Sequence, residues 1–305
     1  MNNFIVRTIT SVLFVAVLVS SFLNPLAMVL LFTLISAMSV REFCTLINNN
    51  VEKVQVNTFI STIAGAYLFL SMAAYCIGYS PSATVFVPYL VTVIYLLVSE
   101  LYLKAEKPID NWAYTMMSQM YVALPLSMIN VLAFQQTSGG VQGCFTLQTL
   151  NPSVIFCALV PLSVFIFLWL NDAGAYCVGS LIGKHKLFPR ISPGKSWEGS
   201  IGGGCLVVVA AIGLWYITEN TRILYALSFA PYHLSLPAWI GMGLVVVVFG
   251  TWGDLIESLL KRTLGIKDSG NVLPGHGGML DRFDSTILAM PAVTVYLYTI
   301  SMITN

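Results

Sequence analysis

Of 305 residues, 57 % are apolar and only 9 % are charged, and the formal net charge at pH 7 is +1. A water-soluble domain carries roughly a quarter charged residues, so this chain lacks the side chains to cover a wetted surface. A buried helical core of a soluble protein is excluded too, because such helices need polar faces that are missing here. Six scattered cysteines without a C-x-x-C pair give neither a disulfide framework nor a structural zinc site. The three histidines, His185, His233 and His276, lie far apart, and no nucleic-acid partner is expected.

In chain order, the first apolar block, Ile9–Leu23, is followed by Asn24–Pro25 and a second block. No small-x-small cleavage pattern separates them, so a mature helical hairpin is expected rather than a signal peptide. A bilayer core of about 30 Å needs roughly 20 apolar residues per helix. Nine spans are predicted on that basis: Ile5–Leu23, Pro25–Val40, Asn57–Gly78, Ala83–Tyr102, Trp112–Phe134, Pro152–Leu170, Gly199–Ile217, Leu236–Gly253 and Phe283–Ile303. Asp172–Gly183 is expected to form a further short helix at the interface, being too short and too polar to span. The uncharged stretch Gln135–Asn151 is predicted to be a loop. Gly202–Gly204 and the pair Gly179 and Gly183 are expected to permit close helix approach. Trp112, Tyr114, Trp215, Tyr216 and Trp239 lie near span ends and are expected in an interfacial belt, and His233 in an outer loop.

Charge orients the bundle. With the N-terminus in the cytoplasm, nine crossings leave the C-terminus outside. They place Arg7, Arg41, Lys53, Lys104, Lys107, Lys184, Lys186, Arg190, Lys195, Lys261, Arg262, Lys267 and Arg282 inside and only Arg222 outside. Lys and Arg in short loops set topology, and this partition supports the count of spans. Acidic residues follow the same side: Asp172, Asp254, Glu257, Asp281 and Asp284 all fall near cytoplasmic span ends. A carboxylate at the bilayer centre costs about 2.5–3.5 kcal/mol, so interface placement is cheaper, yet converging carboxylates still repel and call for cations.

Asp254, Glu257, Ser258 and Lys261 are spaced i, i+3, i+4, i+7 and share one helix face. Asp281 and Asp284 are likewise i, i+3 at the start of the final span. Opposed carboxylates of this kind suit Mg²⁺, with phosphate oxygens and water completing its octahedron. The Gly-rich turn before Asp281 can aim backbone N–H groups at an anion, and Lys261, Arg262, Lys267 and Arg282 add positive charge. Carboxylates for metal with cations for phosphate equip a site for phosphoryl or nucleotidyl transfer. The plainer reading is a set of ordinary charged helix ends. Gly194-Lys195-Ser196 looks like the end of a P-loop, but Pro189 stands where its first glycine belongs and no strand precedes it.

From Ser258 to Asp284 the chain reads S-L-L-K-R, four residues, K-D-S-G, two residues, L-P-G-H-G-G-M-L-D-R-F-D. This run resembles the signature of the phosphatidate cytidylyltransferase family. The resemblance extends upstream to Asn171-Asp172-Ala173-Gly174-Ala175-Tyr176, Gly179, Gly183-Lys184 and Ser192–Gly199, so it covers roughly residues 171–284. The N-terminal half matches only as a series of apolar helices. Many members have Lys or Asn where Gly194 stands and Thr where Ser196 stands, so position 194 is given no side-chain role, whereas Lys195 is retained.

The resemblance implies an all-α polytopic membrane enzyme of one domain over residues 1–305, with scaffold helices in 1–151 and a catalytic region with a cytoplasmic-face site in 152–305. It implies transfer of CMP from CTP to phosphatidate, giving CDP-diacylglycerol and pyrophosphate. A dinuclear site around Asp254 and Asp281 is implied, with at least one Mg²⁺ and a second cation open. Glu257 and Asp284 are metal ligands or their supports, and Lys261 and His276 join Asp254 and Asp281 in catalysis. Substrate contacts fall to Lys195, Ser196, Ser258, Arg262, Lys267, Gly277, Gly278, Arg282 and Asp172; helix capping is the plainer role for Asp172, and a turn contact for His276. A homodimer among membrane lipids is implied as well, and a bacterial inner membrane is expected because the chain is short and lacks added terminal domains. A CTP-dependent kinase of a lipid alcohol and, from another class, a transporter are the alternatives. The full signature speaks against the first, and charges gathered at one face, away from the midplane, against the second.

Overall fold

The structure, a computed structural model, describes residues 3–79, 82–136, 154–220, 234–270 and 277–304. It is an all-α polytopic membrane protein. Helix α1 (Asn3–Ser21) is followed by Asn24, whose side-chain oxygen accepts from the Leu26 and Ala27 amides, and Pro25 then starts α2 (Pro25–Asn50). Asn at the cap and Pro at the first helical position turn two apolar runs into a hairpin. Asn57 caps α3 (Thr58–Cys76) in the same way. A 3₁₀ turn (Ala83–Phe86) leads into α4 (Val87–Leu103). The next crossing is segmented: α5 (Pro108–Met117), a π-helical stretch (Ser118–Ala123), α6 (Leu124–Ser127) and α7 (Ile129–Ala133). Pro125, which has no N–H to give to the helical ladder, is the second residue after the π stretch.

Two short strands, β1 (Phe134–Gln136) and β2 (Val154–Phe156), pair antiparallel ahead of α8 (Leu159–Ile182). A second antiparallel pair, β3 (Lys186–Phe188) and β4 (Ser192–Ser196), leads into α9 (Trp197–Glu219), so a strand does precede position 189, contrary to expectation, and Pro189 alone stands against a P-loop there. The last two helices are α10 (Leu236–Thr263) and α11 (Leu280–Thr304). Among the described residues, eight helices are long and apolar enough to cross a membrane. The described apolar part of α1, Thr8–Ser21, is shorter than that, so the structure supports eight of the nine expected spans by length and composition.

Three expectations need correction. Asp172–Gly183 is not a separate interfacial helix; α8 runs unbroken for 24 residues, and Asp172 sits inside it, not at its end. Two glycines and the polar Asn171-Asp172 pair disguise a helix that continues because α9 packs along it. The spans predicted to stop at Val40 and Gly253 each continue for ten residues, to Asn50 and Thr263. Finally, Trp239 is fully buried and not part of an interfacial belt.

A cluster of phenylalanines fixes the helices around the site. The ring of Phe32 on α2 lies 5.5 Å from Phe22, 5.7 Å from Phe165 on α8 and 6.2 Å from Phe283 on α11, and Phe14 on α1 meets Phe283 at 6.0 Å. Tilted and edge-on contacts at these separations add to the burial of each ring. Close approach elsewhere depends on glycine. A Cβ at Gly203 on α9 would stand 2.6 Å from the Asn171 carbonyl oxygen on α8, and one at Gly199 would stand 2.7 Å from that of Ala175. On α10, a Cβ at Gly253 would stand 2.6 Å from the carbonyl oxygen of Asp284 and 3.0 Å from Ser285 Cα. The expected role of Gly203 thus holds, whereas Gly204 makes only an ordinary contact, 3.7 Å to Val247. These close approaches seat α9 on α8 and α11 on α10, and the phenylalanine cluster joins α8 to α11.

Candidate active site

The one-face spacing on α10 places Asp254, Glu257, Ser258 and Lys261 together, and the Gly253 crossing brings Asp284 of α11 against them. Asp254, Glu257 and Asp284 each offer a carboxylate oxygen, and the three lie within 4.8 Å of one another. Glu257 is fully buried and pairs with Lys261 Nζ at 2.5 Å, one turn along the helix. Lys261 reaches across to Asp281 Oδ1 at 2.7 Å. A buried charge persists only when paired, so Lys261 is the cation that lets both acids remain there. Ser258 Oγ donates to Asp254 Oδ1 at 3.2 Å.

Asp281 differs from the other three acids. Its Oδ2 accepts from the amides of Ser269 and Gly278, each at 2.9 Å, while Oδ1 holds Lys261. Gly277 has φ +83° and a Cβ there would stand 2.7 Å from Asp281 Oδ2, so only glycine suits this turn. The structure therefore gathers Asp254, Glu257 and Asp284 as one set and joins Asp281 to it through Lys261.

The β3–β4 hairpin delivers the second cation. Glu198, in the first turn of α9, accepts from the amides of Lys184 and His185, both at 3.2 Å, and from His185 Nδ1 at 2.6 Å. Ser196 caps α9 by accepting from Gly199 N at 3.2 Å. Anchored at both ends, the hairpin places half-buried Lys195 in an ion pair with Asp254. Asp172, exposed on α8, lines two cavities. One, of about 310 Å³, runs from Asp172, Asp254, Asp281, Arg282 and Asp284 to the apolar wall of Phe14, Val15, Leu18 and Phe165. The other, of about 490 Å³, is lined by Asn171, Asp172, Ser180, Lys186, Lys195 and Ser196.

Other expected residues stand further out. Arg262 is exposed and its guanidinium donates to the Ile266 carbonyl at 3.4 Å, and Lys267 is exposed. Arg282 is exposed at the mouth of the first cavity. His276 and His233 lie outside the described residues, as does most of Gln135–Asn151. One residue escaped the sequence reading: Glu42 on α2, buried, whose carboxylate meets Ser269, Met279 and Leu280. An acidic residue in an apolar run is itself a signal of function in a membrane protein, and the predicted span end at Val40 hid it.

The donor set suits a hard divalent cation: carboxylate oxygens only, three of them within mutual reach. Asp172, Asp254, Glu257, Asp281 and Asp284 gather around the ion-paired cations Lys195 and Lys261, with Arg282 and Lys186 in the walls of the two cavities.

Fold and site together define a polytopic helical membrane protein with an acidic, lysine-paired centre between two cavities. The sequence profile of the cytidylyltransferase family matches residues 5–300, and the chain belongs to that family. The resemblance seen in the Ser258–Asp284 motif thus holds at the level of the family. The chain is similar to the phosphatidate cytidylyltransferase of Staphylococcus aureus, at 43 % identity over 139 residues, covering 45 % of this chain and 48 % of that protein. Those of Staphylococcus haemolyticus and Staphylococcus epidermidis align over 137 and 136 residues at 43 % and 41 % identity, each with the same shares covered. The chain therefore aligns with about half the length of these curated relatives.

Proposed function

We propose that the protein is a phosphatidate cytidylyltransferase that transfers CMP from CTP to phosphatidate, releasing pyrophosphate and forming CDP-diacylglycerol. The observation that carries this reading is the carboxylate set of Asp254, Glu257 and Asp284, tied to Lys195 and Lys261 where two cavities share Asp172. One cavity has an apolar wall suited to the glycerol end of a lipid, and the other has the lysines and hydroxyls suited to a nucleotide.

In the reaction a phosphate oxygen of phosphatidate bonds to the α-phosphorus of CTP, and the bond from that phosphorus to the bridging oxygen of the β-phosphate breaks. The attacking phosphate is already anionic, so no strong base is required. Repulsion between two polyanions is the main obstacle, and fixed cations lower it. Lys195 holds the CTP phosphates once they displace Asp254 as its partner. Lys261, kept charged and oriented by Glu257 and Asp281, faces the reacting phosphates. Asp254, Glu257 and Asp284 would hold Mg²⁺, which when bound neutralises phosphate charge and stabilises the leaving pyrophosphate. Arg282, at the mouth of the lipid cavity, receives the phosphatidate headgroup. The Lys and Arg partition of the sequence supports a cytoplasmic-side site, where CTP is available and the lipid phosphate lies at the interface.

An acceptor panel tests the proposal. Purified protein with CTP and Mg²⁺ is offered phosphatidate, diacylglycerol or a polyprenol in mixed micelles. Pyrophosphate release with phosphatidate alone is expected; CDP release with either alcohol would make the chain a lipid kinase instead.

A further inference from the structure

We propose that Glu42, on the second helix and far from the motif in sequence, is a positioning residue that holds the Asp281 segment in its working conformation. This rests on the proposed function, because Asp281 matters to turnover only if the site is the one described.

Glu42 is buried, and its carboxylate holds both described ends of the segment before α11, one through a side-chain hydroxyl and the other through backbone amides. Ser269 donates its hydroxyl to Oε1, Leu280 N donates to Oε1 at 3.2 Å, and Met279 N donates to Oε2 at 2.7 Å. The Met279 and Leu280 amides open α11, where the first turn leaves N–H groups without helical partners. A carboxylate there is favoured by the helix dipole as well. Here the cap comes from another helix, more than two hundred residues away. Ser269 also gives its amide to Asp281 Oδ2, and Gly278 gives its own to the same oxygen. Glu42 and Asp281 thus share one segment: Glu42 fixes Ser269, Met279 and Leu280, and these set the Ser269 and Gly278 amides that orient Asp281.

Space supports the same conclusion independently. A Cβ at Gly278 would collide with the Glu42 carboxylate and the Ser269 hydroxyl, and one at Gly270 would stand 3.0 Å from Glu42 Cδ. The two glycines let the backbone close on the carboxylate from both sides. Two consecutive transfers follow from this geometry: Glu42 sets Asp281, and Asp281 sets Lys261 at 2.7 Å.

Glu42→Gln tests it. The amide keeps one acceptor oxygen and turns an NH₂ toward a backbone N–H, so at least one amide of Met279 or Leu280 loses its partner. In the purified full chain, hydrogen exchange of residues 277–281 should quicken and kcat should fall, each by about tenfold, the change expected for one lost charged hydrogen bond. KM for CTP and for phosphatidate should stay within about threefold, since Glu42 touches neither cavity wall described above. Asn111→Ala is the control for simple destabilisation: Asn111 is buried, bonds Glu100 and Gln55 at 2.9 Å, and lies in none of the site contacts. It should lower the melting temperature without lowering kcat. Should Glu42→Gln not fold, Ser269→Ala removes only the hydroxyl contact and should act in the same direction, by about threefold. Unchanged exchange at 277–281, or kcat within about twofold of the native value, would overturn the proposal. So would an equal loss of kcat in Asn111→Ala at the same melting temperature. If the native chain transfers no CMP, the proposed function fails while the exchange measurement alone still decides whether Glu42 holds the segment.

Discussion

Gly253→Ala sets two effects of opposite sign against each other. In an exposed helix interior the substitution stabilises by about 0.8–1.0 kcal/mol, because alanine loses less backbone freedom on folding. Gly253, however, is buried at the α10–α11 crossing, and its new Cβ would stand 2.6 Å from the Asp284 carbonyl oxygen. Ordinary contact begins near 3.4 Å, so the helices must part by about 0.8 Å. Overpacking against backbone costs about 1–3 kcal/mol, and the net change is a loss of about 0–2 kcal/mol. The catalytic effect should be larger. Asp254 is the next residue on one side of this crossing and Asp284 is the contact itself on the other. Metal sites tolerate distance errors of about 0.2 Å, and a misplacement near 1 Å can cost about 100-fold in rate. Thermal unfolding in detergent and CMP transfer from CTP should therefore show a small stability loss with a drop in kcat of about 10- to 100-fold. A variant stabilised by nearly 1 kcal/mol with native turnover would show that the helices do not meet as described.

Lys261→Met leaves Glu257 buried without its cation and should destabilise by about 3–5 kcal/mol, with no turnover; a variant that melts like the native protein would contradict the pairing. Lys195→Gln breaks a half-exposed pair, so stability should change by about 0–1 kcal/mol, while KM for CTP rises at least several-fold and KM for phosphatidate does not. Asp281→Asn should insert and express normally yet lose turnover by about 100-fold or more; near-native activity would remove Asp281 from the mechanism. Chelation of divalent cations should abolish transfer, and restored Mg²⁺ at 100 times its dissociation constant should stabilise the fold by about 2.7 kcal/mol, whereas Asp254→Asn should need more Mg²⁺ for the same activity.

Much of this site is legible because it is local. Asp254, Glu257, Ser258 and Lys261 announce their common face by spacing alone, and the Ser258–Asp284 motif carries its own chemistry. Long-range geometry is not written in the same way. Lys261 links Glu257 to Asp281 only because the Gly253 crossing sets the distance between two helices, and nothing in a one-dimensional pattern separates such a glycine from Gly204, which packs loosely. Glu42 is harder still, since its partners lie at the other end of the chain. The α8 boundary failed for another reason. Asn171, Asp172 and the nearby glycines read as a helix end in isolation, whereas packing against Gly199 and Gly203 of α9 carries the helix through them.

The most direct test follows the phosphorus. Protein with phosphatidate and Mg²⁺ is given CTP labelled on either the α- or the γ-phosphate. Label from the α-position should enter an organic-soluble lipid, and label from the γ-position should leave as pyrophosphate. Transfer of γ-label to lipid, with the α-label remaining in CDP, would contradict the account and reassign the carboxylates and lysines to a kinase.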